Sequence, residues 1–556
     1  MHSLLPFLYL FSAWTKGAWA ADPTMPFMEY LDEKHMVCLM WGFDNLKGNI
    51  TFKLEVNTTG WVGFGFSPNG GMKGADMVIG GVGPDGSYFT DRHALGRFEP
   101  LVDEQQSYTL LSMIEKDGQT IMSFRRSIQS CDKEDFLITA QPIKLIYAYG
   151  LTDEIKYHRD NRGTKEVNLL EYMPRTTSTN LNFLSATMDN ITVPAYRTYY
   201  YCKNMKLNLT TKHHIYMIEP VIEQIDIVHH MLLYRCPSFV TEEGDRPCYM
   251  GDTCFGVVAA WAVGGGVFEL PENVGIPIGG VDSDTMYRLE IHYNNARKEA
   301  GRTDSSGLRL HYTAQLRQYD AGIMTTGVSP WTTLAYNIPP KAPEFPTYGV
   351  CNTTLFSELL NPVPELQFFA VMLHTHLAGR KIRVVHYRNG TQTGFLALDE
   401  DYDCGLQQTV NLGHITTVKQ GDEIAVECTY DTSDRTNVTI MGLGSTDEMC
   451  LAFLYYYPAI NITSCVSHPN TGMSENSKTS DQNTIAEQES LMKNLPQMQY
   501  AFDDKHNYSV NAHGTVRDMM ETPVSCETSN AASGLSTSCK MKPAGIILVL
   551  LYIAIM

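Results

Sequence analysis

The chain has 556 residues, of which 43% are hydrophobic, and a formal net charge of −19. This hydrophobic content excludes a disordered chain, and the length predicts three or four domains at roughly 100 to 200 residues each. The acidic balance argues against nucleic acid or an anionic membrane surface as a partner, because both attract basic patches. A small-molecule or protein ligand is therefore favoured.

The N-terminus has the features of a secretory signal peptide over residues 1–20. An apolar stretch runs from Leu4 to Trp14, and the small-residue pattern A-W-A follows at Ala18 to Ala20. A secreted chain passes through an oxidising compartment, and its 13 cysteines include no CxxC pair. We therefore expect disulfides. Nine N-x-[ST] sequons predict glycosylated surface loops, at Asn49, Asn57, Asn190, Asn208, Asn352, Asn389, Asn437, Asn461 and Asn507.

Between the two ends, the pattern is almost entirely that of β-strands. Runs such as NITFKLEV, YRLEIHYN and KIRVVHYRNG alternate apolar and polar residues between clusters of Gly, Pro, Asn and Asp. This pattern predicts an all-β protein built of sandwiches. We expect domain boundaries near the polar run at 175–180, near the Pro-rich run at 337–346 and after Cys465, where an exposed linker is predicted.

Three strand-like segments carry histidines that are candidate metal ligands. The first is VMLHTHLAGRKI, from Val371 to Ile382, with the residues just before it. There the period of two places Phe368, Ala370, Met372, His374 and His376 on one face of a strand, so that two imidazoles point the same way. Such a pair could hold a metal ion or be two solvated histidines.

The second and third segments are IDIVHHMLLYRC and YRLEIHYNN. The first has the doublet His229 and His230, which could serve one ion only if the strand twists or bulges there and the two rings use different nitrogens. The second has His292, for which a buried structural role is the alternative to metal binding.

A methionine adds a soft ligand to this set. Met449 stands in STDEMC and, taken alone, would be core packing. Together with two imidazoles, its thioether favours Cu(I) over zinc or magnesium. Copper is therefore the predicted metal.

The motifs IVHHM, LEIHYNN, HTHLAGRK and EMC, in this order, resemble the copper type II ascorbate-dependent monooxygenases, the family of dopamine beta-hydroxylase and peptidylglycine alpha-hydroxylating monooxygenase. Upstream, GWVGFGFSPNGGMKGADMVIGGV and YFTDRHA resemble a DOMON domain. The resemblance covers roughly residues 25–466. It implies a DOMON β-sandwich followed by two jelly-roll-like antiparallel β-sandwiches that bind copper. The expected organisation is a signal peptide at 1–20, a DOMON domain at 25–150, an N-terminal copper domain at 180–335, a C-terminal copper domain at 345–466, a polar segment at 467–542 and a hydrophobic tail at 543–556.

The resemblance also implies a division of labour between two coppers per chain. His229, His230 and His292 would hold the electron-transfer copper, and His374, His376 and Met449 would hold the copper that meets dioxygen and substrate. The implied reaction inserts one oxygen atom into a C–H bond of a small organic substrate and reduces the other to water, with ascorbate as reductant. No further catalytic residue is predicted beyond the copper ligands.

The family pattern implies four disulfides, and it leaves other cysteines without clear partners. The implied pairs are Cys202–Cys248, Cys236–Cys254, Cys351–Cys465 and Cys428–Cys450. A bridge from Cys131 to Cys526 is a weaker expectation, and Cys38, Cys404 and Cys539 have no clear partner. In dopamine beta-hydroxylase, a further cysteine closely follows the one that corresponds to Cys351 of this chain, and it is missing here. Disulfide cross-links between subunits are therefore not implied, and whether the chain forms an oligomer is left open.

The C-terminus predicts membrane attachment on the extracellular or lumenal side. The stretch AGIILVLLYIAIM is apolar from Ala544 to Met556, but it is short of the roughly 20 residues of a spanning helix. Small residues at Asn530 to Ser533 and a polar spacer precede it, as in a GPI-attachment signal. A simple hydrophobic tail and a fully secreted form are the alternatives.

The alternatives to a monooxygenase are a hydrolase, a P-loop enzyme and a non-enzymatic binding protein. The chain has no HExxH, GxSxG or GxxxxGK[ST] motif, which argues against a zinc hydrolase, a serine hydrolase and a P-loop enzyme. The remaining alternative is a non-enzymatic cell-surface glycoprotein that binds ligands or mediates adhesion and retains copper sites. No amine-binding carboxylate or carboxylate-binding arginine can be placed, so the substrate is not predicted. Tyr430 and Tyr455 to Tyr457 could line the cleft or belong to the core.

Overall fold

The structure is a computed structural model, and it describes most of the chain between residues 24 and 520. The described residues are 24–44, 48–128, 130, 132–139, 141–170, 172, 182–248, 254, 256–280, 285–329, 337–470, 482–505 and 507–520. They form three β-sandwiches in chain order, and the predicted all-β fold is confirmed.

The first sandwich has eleven strands in two sheets. They are β1 Phe27–Tyr30, β2 Val37–Asp44, β3 Asn49–Val56, β4 Val62–Ser67, β5 Ala75–Gly83, β6 Gly86–Ala94, β7 Leu101–Val102, β8 Thr109–Lys116, β9 Gln119–Ser127, β10 Ile143–Tyr149 and β11 Arg162–Val167. The sheet orders are β1-β2-β3-β9-β8 and β11-β10-β4-β5-β6-β7. Strand β3 shows the cause, because its alternating Ile50, Phe52 and Leu54 are fully buried between the sheets. Since β11 pairs with β10, the sandwich extends to Val167, beyond the predicted end at 150.

The second sandwich has thirteen strands. They are β12 Phe183–Thr187, β13 Ile191–Val193, β14 Thr198–Lys206, β15 His213–Val221, β16 Val228–Arg235, β17 Gly244–Pro247, β18 Gly256–Ala262, β19 Phe268–Glu269, β20 Val274–Ile278, β21 Met286–Asn294, β22 Arg302–Asp304, β23 Gly307–Thr313 and β24 Tyr319–Asp320. One sheet has the order β12-β23-β15-β20-β24 with β19 paired to β15, the other has the order β17-β14-β21-β16-β18, and β13 pairs with β22.

The third sandwich has eleven strands and three short helical segments. The strands are β25 Gly322–Val328, β26 Phe345–Asn352, β27 Leu366–His374, β28 Gly379–Arg388, β29 Thr391–Asp399, β30 Thr409–Val418, β31 Glu423–Tyr430, β32 Leu451–Tyr457, β33 Ile462–Pro469, β34 Gln497–Asp503 and β35 Tyr508–His513. The helical segments are a 3-10 turn at Thr353–Leu355, α1 at Phe356–Leu359 and α2 at Gln482–Asn494. The sheet orders are β30-β27-β32-β25-β33-β34-β35 and β26-β31-β28-β29.

Two predicted boundaries are corrected by this topology. Strand β25 lies between β32 and β33 in the seven-stranded sheet, so the boundary predicted at 335–345 moves to near residue 321. The end predicted at 466 also moves, because β33 continues to Pro469 and β34 and β35 extend the same sheet to His513. The segment predicted as an exposed linker therefore includes the buried end of β33, and the sheet resumes in the polar segment assigned to 467–542.

The seven-stranded sheet is buried on both faces at its central strand β32, where the second and third sandwiches come together. Strand β32, LAFLYYY, is buried at every position, as expected for a strand without a solvent face. Leu454 and Tyr456 pack inside the third sandwich, whereas Phe453 and Tyr455 join the core of the second. The two sandwiches thus share one continuous apolar interface.

The shared face predicted for the strand that leads to His374 is only partly correct. A register shift lies between Phe368 and Ala370, so an extra residue changes which side chains face which way. Phe368 packs inside the third sandwich, while Ala370 and Met372 face the second.

Candidate metal centre

Three histidines of the second sandwich meet on two neighbouring strands. His230 on β16 lies directly opposite His292 on β21. The pairing shifts register between Val228 and His230, so His229 sits at a bulge, which turns both rings of the doublet to one side. The Nδ1 atom of His230 is 3.4 Å from Nδ1 of His229 and 3.4 Å from Nδ1 of His292. The predicted strand irregularity is therefore present. The expectation that the two rings use different nitrogens is wrong, because the bulge lets both present Nδ1.

These three imidazoles can act as neutral ligands. They are buried, and one potential ligand atom from each lies within 4.8 Å of the others. Burial, with a smaller effect of the nearby His374, lowers the pKa of His229 to about 4. Burial likewise holds the pKa of His230 and His292 well below the usual range. Three neutral rings with converging Nδ1 atoms suit a divalent or monovalent soft metal ion.

The histidines of the third sandwich present their other nitrogen. His374 ends β27, and its Nδ1 lies 2.6 Å from Oε1 of Gln407. His376 lies two residues further, and its Nδ1 donates to the carbonyl of Asp447 at 3.1 Å. Both Nε2 atoms are buried and have no hydrogen-bond partner among the described residues. Such hydrogen bonds to the opposite ring atom fix the tautomer that leaves Nε2 free for a metal.

Gln407, which contacts His374, is itself fixed by a hydrogen bond. Gln407 is buried, and its side-chain amide donates to the carbonyl of Cys404 at 2.7 Å, which directs Oε1 toward His374. Burial lowers the pKa of His374 to about 4 and places that of His376 well below its usual range. Gln407 is not among the predicted residues, because it lies in a loop with no periodic pattern to mark it.

Met449 lies on a segment that is hydrogen-bonded to His376. The carboxylate of Glu448 accepts from the backbone N–H of His376 at 2.9 Å and of Ala378 at 2.6 Å. Tyr430 donates its hydroxyl to the Met449 carbonyl at 2.7 Å. Met449 is buried. Glu448 was also missed, although an acid next to a predicted ligand in EMC was a visible signal; burial raises its pKa to about 7.

The two histidine sets face each other. Ring centroids are 5.3 Å apart for His230 and His374, 6.3 Å for His229 and His376, and 6.2 Å for His292 and His376. The predicted sites lie in adjacent sandwiches, and the structure brings their five imidazole rings into one buried cluster. We call these rings the five-histidine cluster.

The remaining predicted residues are placed as follows. Tyr455 and Tyr456 are fully buried core aromatics, and Tyr430 supports the Met449 backbone. The structure contains the four implied disulfides, Cys202–Cys248, Cys236–Cys254, Cys351–Cys465 and Cys428–Cys450. Cys38 and Cys404 are free thiols.

Seven of the nine sequon asparagines are exposed, whereas Asn49 and Asn352 are half-buried. The signal peptide, Cys131, Cys526, Cys539, the GPI-type site at 530–533 and the hydrophobic tail lie outside the described residues. Within the part of the chain that the structure describes, no helix is both long and apolar enough to cross a membrane.

Comparison with known families accounts for all three sandwiches. Residues 33–150 match the DOMON domain, residues 184–300 the N-terminal domain of copper type II ascorbate-dependent monooxygenases, and residues 319–478 the C-terminal domain of the same enzymes. Among solved structures, the cytochrome b domain of pyranose dehydrogenase from Coprinopsis cinerea aligns with 27% of this chain and 85% of its own length. The identity is 13% and the TM-score is 0.23.

Curated relatives align over most of the chain. DBH-like monooxygenase protein 2 of Mus musculus is 38% identical over 83% of this chain and 77% of its own. DBH-like monooxygenase protein 1 of Homo sapiens is 39% identical over 82% and 76%, respectively. Dopamine beta-hydroxylase of Bos taurus is 33% identical over 84% and 79%. This chain belongs to the copper type II ascorbate-dependent monooxygenase family.

Proposed function

We propose that the chain is an active monooxygenase that binds two coppers and hydroxylates a C–H bond of a small organic substrate, with dioxygen and ascorbate as co-substrates. His229, His230 and His292 hold the copper that transfers electrons, and His374, His376 and Met449 hold the copper at which dioxygen and substrate meet. The observation that carries the proposal is the complementary use of ring atoms: three Nδ1 atoms converge, and two buried Nε2 atoms have no partner among the described residues.

The overall chemistry balances with these reactants alone. One oxygen atom of dioxygen enters the C–H bond, the other leaves as water, and ascorbate supplies two electrons and two protons. Bound copper would supply one-electron transfer and reaction with dioxygen, which protein side chains cannot perform. Burial of the ring cluster keeps the imidazoles neutral and excludes water. Gln407 and the Asp447 carbonyl orient the rings of His374 and His376, which would hold the copper that reacts with dioxygen.

The donor set favours copper over zinc. Structural zinc sites are usually closed by four nitrogen or sulfur ligands, and catalytic zinc sites often include a carboxylate. The proposed second set combines two imidazoles with a thioether, which is a soft set suited to Cu(I). A ligand-binding glycoprotein without activity would retain copper but consume no oxygen.

The deciding experiment is metal analysis of the purified protein after copper loading and dialysis. We expect about two coppers per chain, a drop to about one in His292→Ala and in His374→Ala, and no drop in His311→Ala. His311 is a matched control, because it lies in the second sandwich and its ring contacts Glu219 at 2.7 Å outside the five-histidine cluster. Zinc, or no metal, in the loaded protein would refute the copper proposal.

Oxygen consumption then tests turnover. Copper-loaded protein with ascorbate is screened against small organic compounds in an oxygen electrode, with the His374→Ala variant as the blank. Substrate-dependent uptake above that blank supports catalysis. Full copper loading without any uptake favours the ligand-binding alternative.

We also propose that the chain enters the secretory pathway and that the mature protein is attached to the outer or lumenal membrane face by a GPI anchor added at 530–533. The sequence features are the small-residue site, the polar spacer and the short apolar tail. Phosphatidylinositol-specific phospholipase should release the protein from cells. Retention after treatment would favour a hydrophobic tail, and protein already in the medium would favour secretion.

A further inference from the structure

The loop at residues 441–449, which we call the bridging loop, crosses from the third sandwich to the second. Tyr200 on β14 donates its hydroxyl to the carbonyl of Leu443 at 3.0 Å, and the Leu443 side chain packs near Tyr200 and the Cys202–Cys248 bridge. The backbone N–H of Ser445 donates to Oγ1 of Thr198 at 3.1 Å. The loop is therefore fixed to the strand next to the one that carries His292.

Ser445 contacts His292 itself. Its Oγ lies 3.3 Å from Nε2 of His292, and the two residues are 2% and 0% exposed. Since Nδ1 of His292 faces His230, an Nε2–H that donates to Ser445 leaves the Nδ1 lone pair directed into the cluster. Thr198 Oγ1 lies 3.3 Å from Ser445 Oγ and can accept the serine proton, so that the hydroxyl is free to accept from the ring.

The plane of the same ring is held from another strand. Tyr200 lies opposite His292 in the sheet, and the two rings stack with centroids 4.4 Å apart and planes 3° apart. Stacking fixes the ring plane, but it does not choose which nitrogen carries the proton. That choice requires an acceptor at Nε2, which the bridging loop supplies through Ser445.

The other end of the bridging loop orients the second histidine set. The carbonyl of Asp447 accepts from Nδ1 of His376, and the Glu448 carboxylate accepts from the His376 backbone. One short loop of the third sandwich thus contacts a proposed ligand of each copper. Of these two ligand contacts, the one with His292 joins the third sandwich to the second.

We infer that Ser445 is a positioning residue for His292, acting across the boundary between the two copper domains, so that copper binding at the three-histidine site depends on the third sandwich. This inference rests on the proposed function. A three-histidine site built from one sandwich alone would not depend on a serine of the other. Loss of a hydrogen-bond partner behind a ligand typically weakens metal affinity about 10–100-fold.

The test measures copper affinity at each site separately, by competition with a chelator, in the full chain. In a His374→Ala background only the three-histidine site remains, and His374 bonds to Gln407 rather than to the bridging loop. There, Ser445→Ala should weaken copper binding about 10–100-fold, and Ser445→Thr, which keeps the hydroxyl, should restore most of it. Ser464→Ala is the matched control, because Ser464 is also 2% exposed but its Oγ has no hydrogen-bond partner among the described residues.

The reciprocal background separates positioning from general loosening. In His292→Ala only the second site remains, and Ser445→Ala should leave its copper affinity unchanged because the Asp447 and Glu448 contacts persist. Equal losses at both sites, or no loss at the three-histidine site, would overturn the inference. If Ser445→Ala does not fold, Thr198→Val is the substitute, since it removes the acceptor of both the Ser445 hydroxyl and the Ser445 backbone N–H. It should give a loss confined to the three-histidine site, and an unchanged affinity there overturns the inference instead.

Failure of the proposed function has a different signature. If the parent His374→Ala protein binds no copper, the three-histidine site does not exist and both proposals fall. If the parent binds copper and Ser445→Ala binds it equally well, only the role of Ser445 is refuted.

Discussion

Replacing Met449 with isoleucine tests whether this residue is a metal ligand or core packing. Met449 is 2% exposed and lies in the core shared by the second and third sandwiches. Isoleucine keeps the apolar volume but removes the thioether. Volume-conserving swaps in a core usually cost under about 1.5 kcal/mol. The bonds from Tyr430 to the Met449 backbone and from His376 to Glu448 do not involve the sulfur, so they should survive.

The expected effect on copper is larger than the effect on folding. Removal of the soft ligand leaves two imidazoles, and we expect at least a tenfold loss of Cu(I) affinity at that site, equivalent to about 1.4 kcal/mol. Copper per chain should fall from about two toward one when copper is limiting. Ascorbate should still reduce copper at the three-histidine site, while product formation falls at least about tenfold, since ligand loss acts directly where dioxygen and substrate meet.

Met372→Ile is the matched control for this substitution. Met372 is also 2% exposed and packs in the same shared core, but it is not a proposed ligand. The assay compares copper stoichiometry, ascorbate reduction, product formation and thermal midpoint in both variants. If Met449→Ile matches Met372→Ile in copper content and turnover, Met449 is packing and the second ligand set is wrong.

Three further predictions concern the three-histidine site, a charged contact within the third sandwich and a charged contact between the first and third sandwiches. His292→Ala should impair the three-histidine site and leave copper bound at the His374, His376 and Met449 site. Electron transfer should then slow, so that stopped-flow reduction by ascorbate slows together with turnover, and an unchanged rate of reduction would argue against the role of His292. Burial alone would raise the pKa of Asp422, but hydrogen bonds led by those of Arg388 lower it to about 2. Because this folded-state pKa is below the ordinary 3.8, the ionised carboxylate stabilises the fold fully above about pH 4, and this contribution is lost as the pH falls through 2. Asp422→Asn should therefore remove about 2 kcal/mol at pH 6 and have little effect at pH 2, as measured by thermal midpoints; a pH-independent difference would contradict this. Lys144 of the first sandwich lies 2.7 Å from both carboxylate oxygens of Asp399 in the third. Lys144→Met should therefore leave a buried charge unpaired, cost about 3–5 kcal/mol of folding free energy and increase the rate of proteolysis. Lys144→Met combined with Asp399→Leu should recover part of the loss, and equal proteolysis of the wild type, the single variant and the double variant would contradict the pairing.

Strand periodicity was enough to predict the fold class, because burial on one face is a local property. NITFKLEV alternates as a strand should, and its Ile50, Phe52 and Leu54 are buried as predicted. Domain boundaries were less accessible. Strand β25 joins the third sandwich through hydrogen bonds to β32 and β33, which lie more than a hundred residues further along the chain, and nothing in its own sequence marks that partner.

Bulges limited the prediction of individual faces. A period of two assigned Phe368 to the face of Ala370 and Met372, but one extra residue at this point of β27 reversed the assignment. At His229 the same kind of irregularity has the opposite consequence, because it is what lets two adjacent histidines share a site. A sequence motif can require a bulge, as the doublet did, but apolar residues alone do not reveal one.

The close approach of the two histidine sets has its origin in packing rather than in any motif. Strand β32 is apolar on both faces, so the third sandwich buries one of its own faces against the second. The end of β27 then meets β16 and β21, and His374 comes within 5.3 Å of His230 between ring centroids. Because Met449 belongs to this same core, a bulky or polar residue there would disturb both histidine sets at once. Only a volume-conserving change such as Met449→Ile separates ligation from packing, and a loss confined to the His374 and His376 site is the result that ligation requires.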